Sequence, residues 1–191
     1  MRMLNKIIQS FFLLLICTSA QMVSGVVPSD PRNVNPVEVG SMVLEAKLST
    51  VKGDTVSLED VLGNEKSILI FYRGGWCPYC VRHLAAVGEY EEMILEKGYR
   101  IIAISPDLAE DTAEYADTAE FNYSLYSDSE LSTIKAFGLA FESVSKRTQK
   151  KRVLPVPAIF IVDAEGRITF RHVDVNYKER LTPEDLLKAL D

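Results

Sequence analysis

The 191-residue chain is poor in cysteine and histidine, with 3 and 2 of them, and it contains a single tryptophan. Three cysteines are too few to staple a disulfide-built miniprotein. Basic residues are also in deficit, 21 Lys and Arg against 27 Asp and Glu, for a formal net charge of -6. That balance argues against a duplex-binding protein, which needs a clustered basic footprint to neutralise phosphates. Internal repeats, low-complexity tracts and phosphate-binding glycine loops are missing as well. What the chain does have is 47% hydrophobic residues, enough for one domain with a sizeable core.

The first residues carry the parts of an export signal. Arg2 and Lys6 form a positive start, Ile7 to Ile16 is apolar apart from Gln9 and Ser10, and Thr18-Ser19-Ala20 offers small residues before a cleavage site. The apolar run falls well short of the roughly 20 residues of a membrane span, so no stable span is expected after cleavage. A second cut is available after Gly25. The sequence thus predicts a signal peptide over 1–20, a linker with Pro28, Pro31 and Pro36 over 21–36, and one domain over 37–191, exported to the periplasm or the extracellular space. Cleavage after Ala20 removes two cations and no acid, so the formal charge moves from -6 to -8, and Cys17 leaves with the signal. Cys77 and Cys80 then remain in a compartment where disulfides form and persist.

Along the domain, Leu44 to Leu48 and Thr55 to Leu58 flank Lys52-Gly53-Asp54 as a hairpin. Ser67 to Tyr72 is a continuous apolar run too short for a helix and reads as a buried parallel strand. The spacing of Val81, Leu84, Val87, Met93 and Ile94 predicts one helix from Cys77 to Lys97, stopped at Gly98. A strand over 99–105 and a helix over 108–121 follow, the latter with an acidic row (Asp107, Glu110, Asp111, Glu114, Asp117, Glu120) read as a solvated face. A short strand over 122–127 and a helix over 129–137 come next, and an insertion then precedes two strands, 158–162 and 167–173, joined by Asp163-Ala164-Glu165-Gly166. Thr182-Pro183-Glu184-Asp185 opens a terminal helix with cap, proline and acids in their favoured places.

The chemistry concentrates where the buried strand hands over to the first long helix, at Trp76-Cys77-Pro78-Tyr79-Cys80. Cys77 falls at the helix start, where free backbone N–H groups and the helix dipole favour a thiolate over the ordinary thiol near 8.5. Cys80 is three residues on, on the same face, placed to resolve a mixed disulfide. Pro78 pre-sets the turn, and Trp76 and Tyr79 are expected to wall the site.

The block from Phe71 to Cys80 resembles the thioredoxin-like superfamily, and more closely the peroxiredoxin-like branch of the alkyl hydroperoxide reductase C/thiol-specific antioxidant family. Leu154-Pro155-Val156-Pro157-Ala158 resembles the stretch in which that group places a cis-proline facing the active-site sulfurs. The resemblance spans about Val37 to Asp191. It implies an α/β, thioredoxin-like fold: a central mixed sheet flanked by helices, with an N-terminal hairpin extension and an insertion before the cis-Pro strand. Pro157 would be that proline and Val156 the residue that contacts a partner chain. The implied activity is that of a thiol-dependent oxidoreductase needing no cofactor or metal, reducing peroxides at the expense of a thiol reductant, either a thioredoxin-like protein or a small thiol. Interchange of protein disulfides is the alternative, and a redox-inactive peptide-binding module at Val156-Pro157 a third reading.

Within the resemblance two role assignments stay open. In the thioredoxin assignment Cys77 attacks a substrate disulfide and Cys80 resolves. In the peroxiredoxin assignment the pattern Pro-x-x-x-Thr-x-x-Cys places the peroxidatic sulfur at Cys80, oxidised to a sulfenic acid and resolved by Cys77. Counted back from Cys80, the Thr position holds Cys77 and the Pro position Arg73, while the family's strand arginine falls near Pro157. Arg73 is then the candidate source of positive charge. Phe71 stands six residues before Cys77, where thioredoxins carry a buried acid.

Other constellations read more plainly. Cys77, Cys80 and His83 form C-x2-C-x2-H with His172 as a distant fourth donor, but a proline over the sulfurs would block a metal's ligand sphere. A c-type haem requires histidine at position 81, which is Val81. Lys146, Arg147, Lys150, Lys151 and Arg152 crowd the insertion, either as an exposed charged segment or as a docking patch for an acidic partner.

Overall fold

The apolar run Ser67–Phe71 (β3) is buried at every position and forms the middle of the sheet. The structure, a computed structural model, describes residues 26–119, 121–145 and 148–191; the expected export signal with its expected cleavage sites and Cys17 lie outside them, as do Glu120, Lys146 and Arg147. Before β3 come β1 (Lys47–Ser49), β2 (Thr55–Ser57) and a helix α1 (Leu58–Leu62). After it follow α2 (Pro78–Gly88), α3 (Glu91–Glu96), β4 (Arg100–Ser105), α4 (Ala109–Thr118), β5 (Ser124–Ser127) and α5 (Ser132–Ala136). The chain continues through β6 (Ala140–Val144), β7 (Lys151–Pro155), β8 (Ala158–Val162), β9 (Ile168–Val173) and α6 (Pro183–Lys188).

Seven strands form one mixed sheet in the order β2-β1-β5-β4-β3-β8-β9, and β6 and β7 form a separate two-stranded ribbon. The three strands β3, β4 and β5 run parallel, while β8 joins β3 antiparallel with Phe71 opposite Ala158. Because side chains alternate across a strand, β3 feeds two cores. Leu69 and Phe71 pack with Leu58, Ile104, Phe137 and Phe160 on one face. Ile68, Ile70 and Tyr72 pack with Cys77, Cys80, Leu84, Ile94 and Leu186 on the other. Phe71 sits 4.8 Å from Phe137 and 5.8 Å from Phe160 between ring centroids. Each such ring, fully buried, contributes about 1.5–3 kcal/mol of transfer free energy.

The structure corrects several expectations. The helix expected from Cys77 to Lys97 is two, α2 and α3, broken at Glu89 and Tyr90. A Cβ on Gly88 would lie 2.7 Å from Phe121 Cβ, so the end of α2 is held against the start of β5's lead-in. Leu58, read as the end of the second hairpin strand, instead opens α1, since Ser57 Oγ accepts from Asp60 N–H at 2.9 Å as an N-cap. Within the insertion β6 and β7 form a ribbon in which Ala140 pairs with Pro155 and Val144 with Lys151. No peptide bond among the described residues is cis, so Pro157 follows a trans bond. The backbone explains this: Val156 N–H bonds Leu139 O at 2.9 Å and Pro157 O accepts from Asp174 N–H at 2.8 Å. These bonds hold an extended path through the proline, the conformation an X-Pro unit favours.

Candidate active site

Cys77 is the N-cap of α2 and Pro78 its first helical residue, so the chain enters the helix at the sulfur. Cys80, one turn on, turns its sulfur back to lie 2.7 Å from Cys77 Sγ, and both thiols are free. Each residue is only 1% exposed. A disulfide has its sulfurs near 2.05 Å, so oxidation requires the pair to close by less than about 1 Å.

The two sulfurs are unlike. The Cys80 thiol donates to Cys77, and this, with the backbone N–H groups of residues 79 and 80 and the charge of Arg73, lowers Cys77 to about 6 against the cost of its burial. Cys80 is pushed up, first because its proton is held on Cys77 and then by burial. Two groups act against that rise, a backbone hydrogen bond from Arg73 and the charge of Arg180. Arg180 Nη2 lies 3.5 Å from Cys80 Sγ, 100 positions away in sequence.

The loop that carries Cys77 is pinned from behind. Gly75 N–H donates to Asp107 Oδ2 at 2.7 Å. Burial raises the Asp107 carboxyl, opposed chiefly by that bond and more weakly by the Trp76 indole. Gly74 has φ +137°, and a Cβ there would sit 2.5 Å from Asp107 Oδ1 and against Trp76 Nε1. Only glycine fits this approach. Asp107 was expected on the solvated acidic face, yet it precedes α4 and supports the site, whereas Glu110, Asp111, Glu114 and Asp117 are exposed.

Around the mouth, Trp76 is 49% exposed. The Arg73 guanidinium lies 4.3 Å from the Tyr177 ring centroid and 5.3 Å from that of Trp76, and its Nε is buried without a hydrogen-bond partner. Tyr79 meets Tyr177 edge-on at 5.7 Å. A cavity of about 840 Å³ opens here, bounded by Arg73, Trp76 and Pro157 on one side and by the β6–β7 ribbon on the other. The structure therefore brings Arg73, Trp76, Cys77, Pro78, Tyr79, Cys80 and Pro157 together. Val156 is fully buried with its N–H committed to Leu139, so it offers no free backbone donor to a partner chain. Phe71 lies on the opposite face of the sheet from the sulfurs. Tyr72 does face them.

The other donors are engaged. His83 Nε2 lies 3.1 Å from Leu181 O, and burial lowers the ring to about 4, which keeps it neutral at pH 7. His172 Nε2 lies 2.8 Å from Asp174 Oδ1. Sequence reasoning missed Asp107, Tyr177 and Arg180 at the site. Asp107 carried one usable signal, its position two residues after a buried parallel strand, where such sheets gather functional groups. Tyr177 and Arg180 carried none.

With this geometry in hand, comparison with known proteins is informative. The AhpC/TSA family model matches residues 39–171. Thiol-disulfide oxidoreductase ResA of Bacillus anthracis is 24% identical over 158 residues, covering 81% of this chain and 79% of that protein. Among solved structures, peroxidoxin BcpB from Mycobacterium tuberculosis aligns with a TM-score of 0.65 at 20% identity, over 81% of this chain and 94% of that one. Reduced Prx3 of Vibrio vulnificus in complex with hydrogen peroxide aligns at 0.70 and 20% identity, over 81% and 99%. At these identities the two structures establish the shared thioredoxin-like fold.

Proposed function

The chain belongs to the AhpC/TSA family, and from that premise we propose that Cys77 and Cys80 are the dithiol/disulfide centre of an exported oxidoreductase in which Cys77 attacks first. As a family member it is a thiol-dependent oxidoreductase. The observation that carries the role assignment is the asymmetry of the pair: Cys77, at the helix N-cap, accepts the Cys80 thiol hydrogen at 2.7 Å. A thiolate is the reactive form of cysteine, and this arrangement reserves it for Cys77.

On a disulfide substrate the pair works by two successive thiol–disulfide exchanges. Cys77 thiolate attacks one substrate sulfur, the substrate S–S bond breaks, and the electron pair leaves on the distal sulfur, which takes a proton. Cys80 then loses its proton and attacks Cys77 Sγ, closing the Cys77–Cys80 bond and releasing the second substrate thiolate. Two electrons pass from the protein dithiol to the substrate, and a thiol reductant returns them. Arg180, beside Cys80 Sγ, favours the thiolate that this second step needs.

A second reading, peroxide reduction, is favoured by one observation. Cys80, although protonated while Cys77 holds the charge, is flanked by Arg180 and by a hydrogen bond from the Arg73 backbone, the surroundings of a stabilised thiolate. In that reading Cys80 attacks peroxide, an alcohol or water leaves, and Cys77 displaces water from the resulting sulfenic acid. Export is supported by the signal pattern in residues 1–20. Among the described residues no helix is long and apolar enough to cross a membrane.

Reduced Cys77→Ser and Cys80→Ser proteins, mixed separately with a disulfide substrate such as insulin and with hydrogen peroxide, separate the two readings by mass spectrometry. Cys80→Ser protein should accumulate a mixed disulfide at Cys77. Rapid sulfenylation confined to the protein that retains Cys80, with no mixed disulfide at Cys77, would reverse the roles.

A further inference from the structure

The cavity beside the redox pair is far larger than hydrogen peroxide, and its charge is of one sign. Arg73 lies at its inner end, and Lys150 and Arg152 face it from the ribbon, with no carboxylate on its walls. None of these three is in an ion pair among the described residues, whereas Lys151, between Lys150 and Arg152, turns to Glu142 at 2.9 Å. The ribbon's alternation thus aims two cations at the cavity and pairs Glu142 with Lys151 instead. Arg152 also sits 5.8 Å from the Trp76 ring, so one cation borders the residue immediately before Cys77.

We infer that this cavity is the docking site for a small, carboxylate-bearing thiol that reduces the Cys77–Cys80 disulfide. The inference rests on the dithiol/disulfide reading given above and names the reductant of that couple. The volume of about 840 Å³ falls in the range of small-molecule sites. An extended protein strand is disfavoured, because the Val156 N–H that would pair with it already bonds Leu139. Carboxylates at Lys150 and Arg152 leave the thiol end of the molecule at Trp76, next to Cys77. The thiolate attacks Cys77 Sγ, the Cys77–Cys80 bond breaks, and the electron pair leaves on Cys80, which is protonated from solvent. A second thiolate attacks the ligand sulfur of the mixed disulfide and expels Cys77 as thiolate. Two thiols become one small disulfide, and the protein gains two electrons.

Glutathione and its diethyl ester share a thiol and differ in two carboxylates, which makes them a matched pair of probes. The oxidised protein is mixed with each, and with dithiothreitol, and reduction is followed by the fluorescence of Trp76, the sole tryptophan of the chain. Glutathione should be faster than the ester by about tenfold at low ionic strength, and the ratio should fall toward one as salt screens the charges. Arg152→Gln, alone and with Lys150→Gln, should bring the ratio to within about twofold by the same loss of attraction. A ratio near one in the unmodified protein, with dithiothreitol reducing normally, overturns the anionic reductant and leaves the redox couple standing. Failure of dithiothreitol to produce two thiols overturns the couple itself. A salt-independent ratio that survives both substitutions also refutes the assignment.

Discussion

Replacing Cys80 by Ala removes the thiol hydrogen that Cys77 accepts at 2.7 Å, the largest of the influences lowering the Cys77 thiol. With Cys77 at about 6, roughly 90% of it is thiolate at pH 7, whereas a free thiol near 8.5 would be about 3% ionised. The substitution leaves Arg73 and the Tyr79 backbone N–H in place. The midpoint should therefore rise above 7 without reaching the free value, and the ionised fraction at pH 7 should fall at least about twofold. Titrating the reduced protein, produced from residue 21 onward so that Cys17 does not contribute, by thiolate absorbance at 240 nm measures this directly, with Cys80→Ser, which keeps a hydroxyl donor, expected between the two. The sign carries over to stability. A thiol whose folded value lies below its unfolded one stabilises the fold at pH above the unfolded value, and that contribution is lost as pH falls through about 6. A midpoint that stays near 6 in Cys80→Ala would refute the reasoning, because the helix start and Arg73 would then suffice alone. A low midpoint retained in Cys77→Ala would assign the thiolate to Cys80.

Gly74→Ala, which forces a Cβ to 2.5 Å from Asp107 Oδ1 at φ +137°, should cost about 1–3 kcal/mol in urea unfolding and slow alkylation of Cys77; unchanged values would mean that the loop is not pinned. Phe137→Ala opens the aromatic cluster with Phe71 and Phe160 and should cost about 3–5 kcal/mol while leaving the Cys77 titration in place, since that cluster lies across the sheet from the sulfurs. Asp128 is held at about 6, mainly by burial. A carboxyl raised in this way favours the fold most below its unfolded value near 4 and loses that contribution as pH rises through 6. Urea midpoints of Asp128→Asn should therefore fall less between pH 4 and 7 than those of the unmodified protein, and parallel curves would dismiss the group.

Much of the frame was legible because it is local. Period and length marked β3, β4, β8 and β9, and capping chemistry marked the starts of α2 at Cys77-Pro78 and of α6 at Thr182-Pro183. Asp163–Gly166 turned the chain where expected, with Gly166 at φ +82°. The break between α2 and α3 was illegible, since it depends on Phe121 arriving against Gly88 from another segment. The ribbon of β6 and β7 was hidden for a related reason. Its strand 151–155 opens on basic residues, and its two sides stabilise each other by pairing rather than through a shared apolar period.

By itself the sequence marked the candidate redox unit: two cysteines three apart at a strand-to-helix turn, a proline setting that turn, and an N-terminal stretch with the pattern of an export signal. These are properties of neighbours along the chain, so short-range geometry suffices to place them. Only the tertiary structure decided that Asp107 braces the loop from 32 positions away and that Arg180 reaches Cys80 from 100. It also decided that Pro157 enters its strand through a trans bond and that the insertion's cations face a cavity. Those facts arise where distant segments meet, and the energies involved, burial and charge at a few ångströms, exist only once the chain has folded.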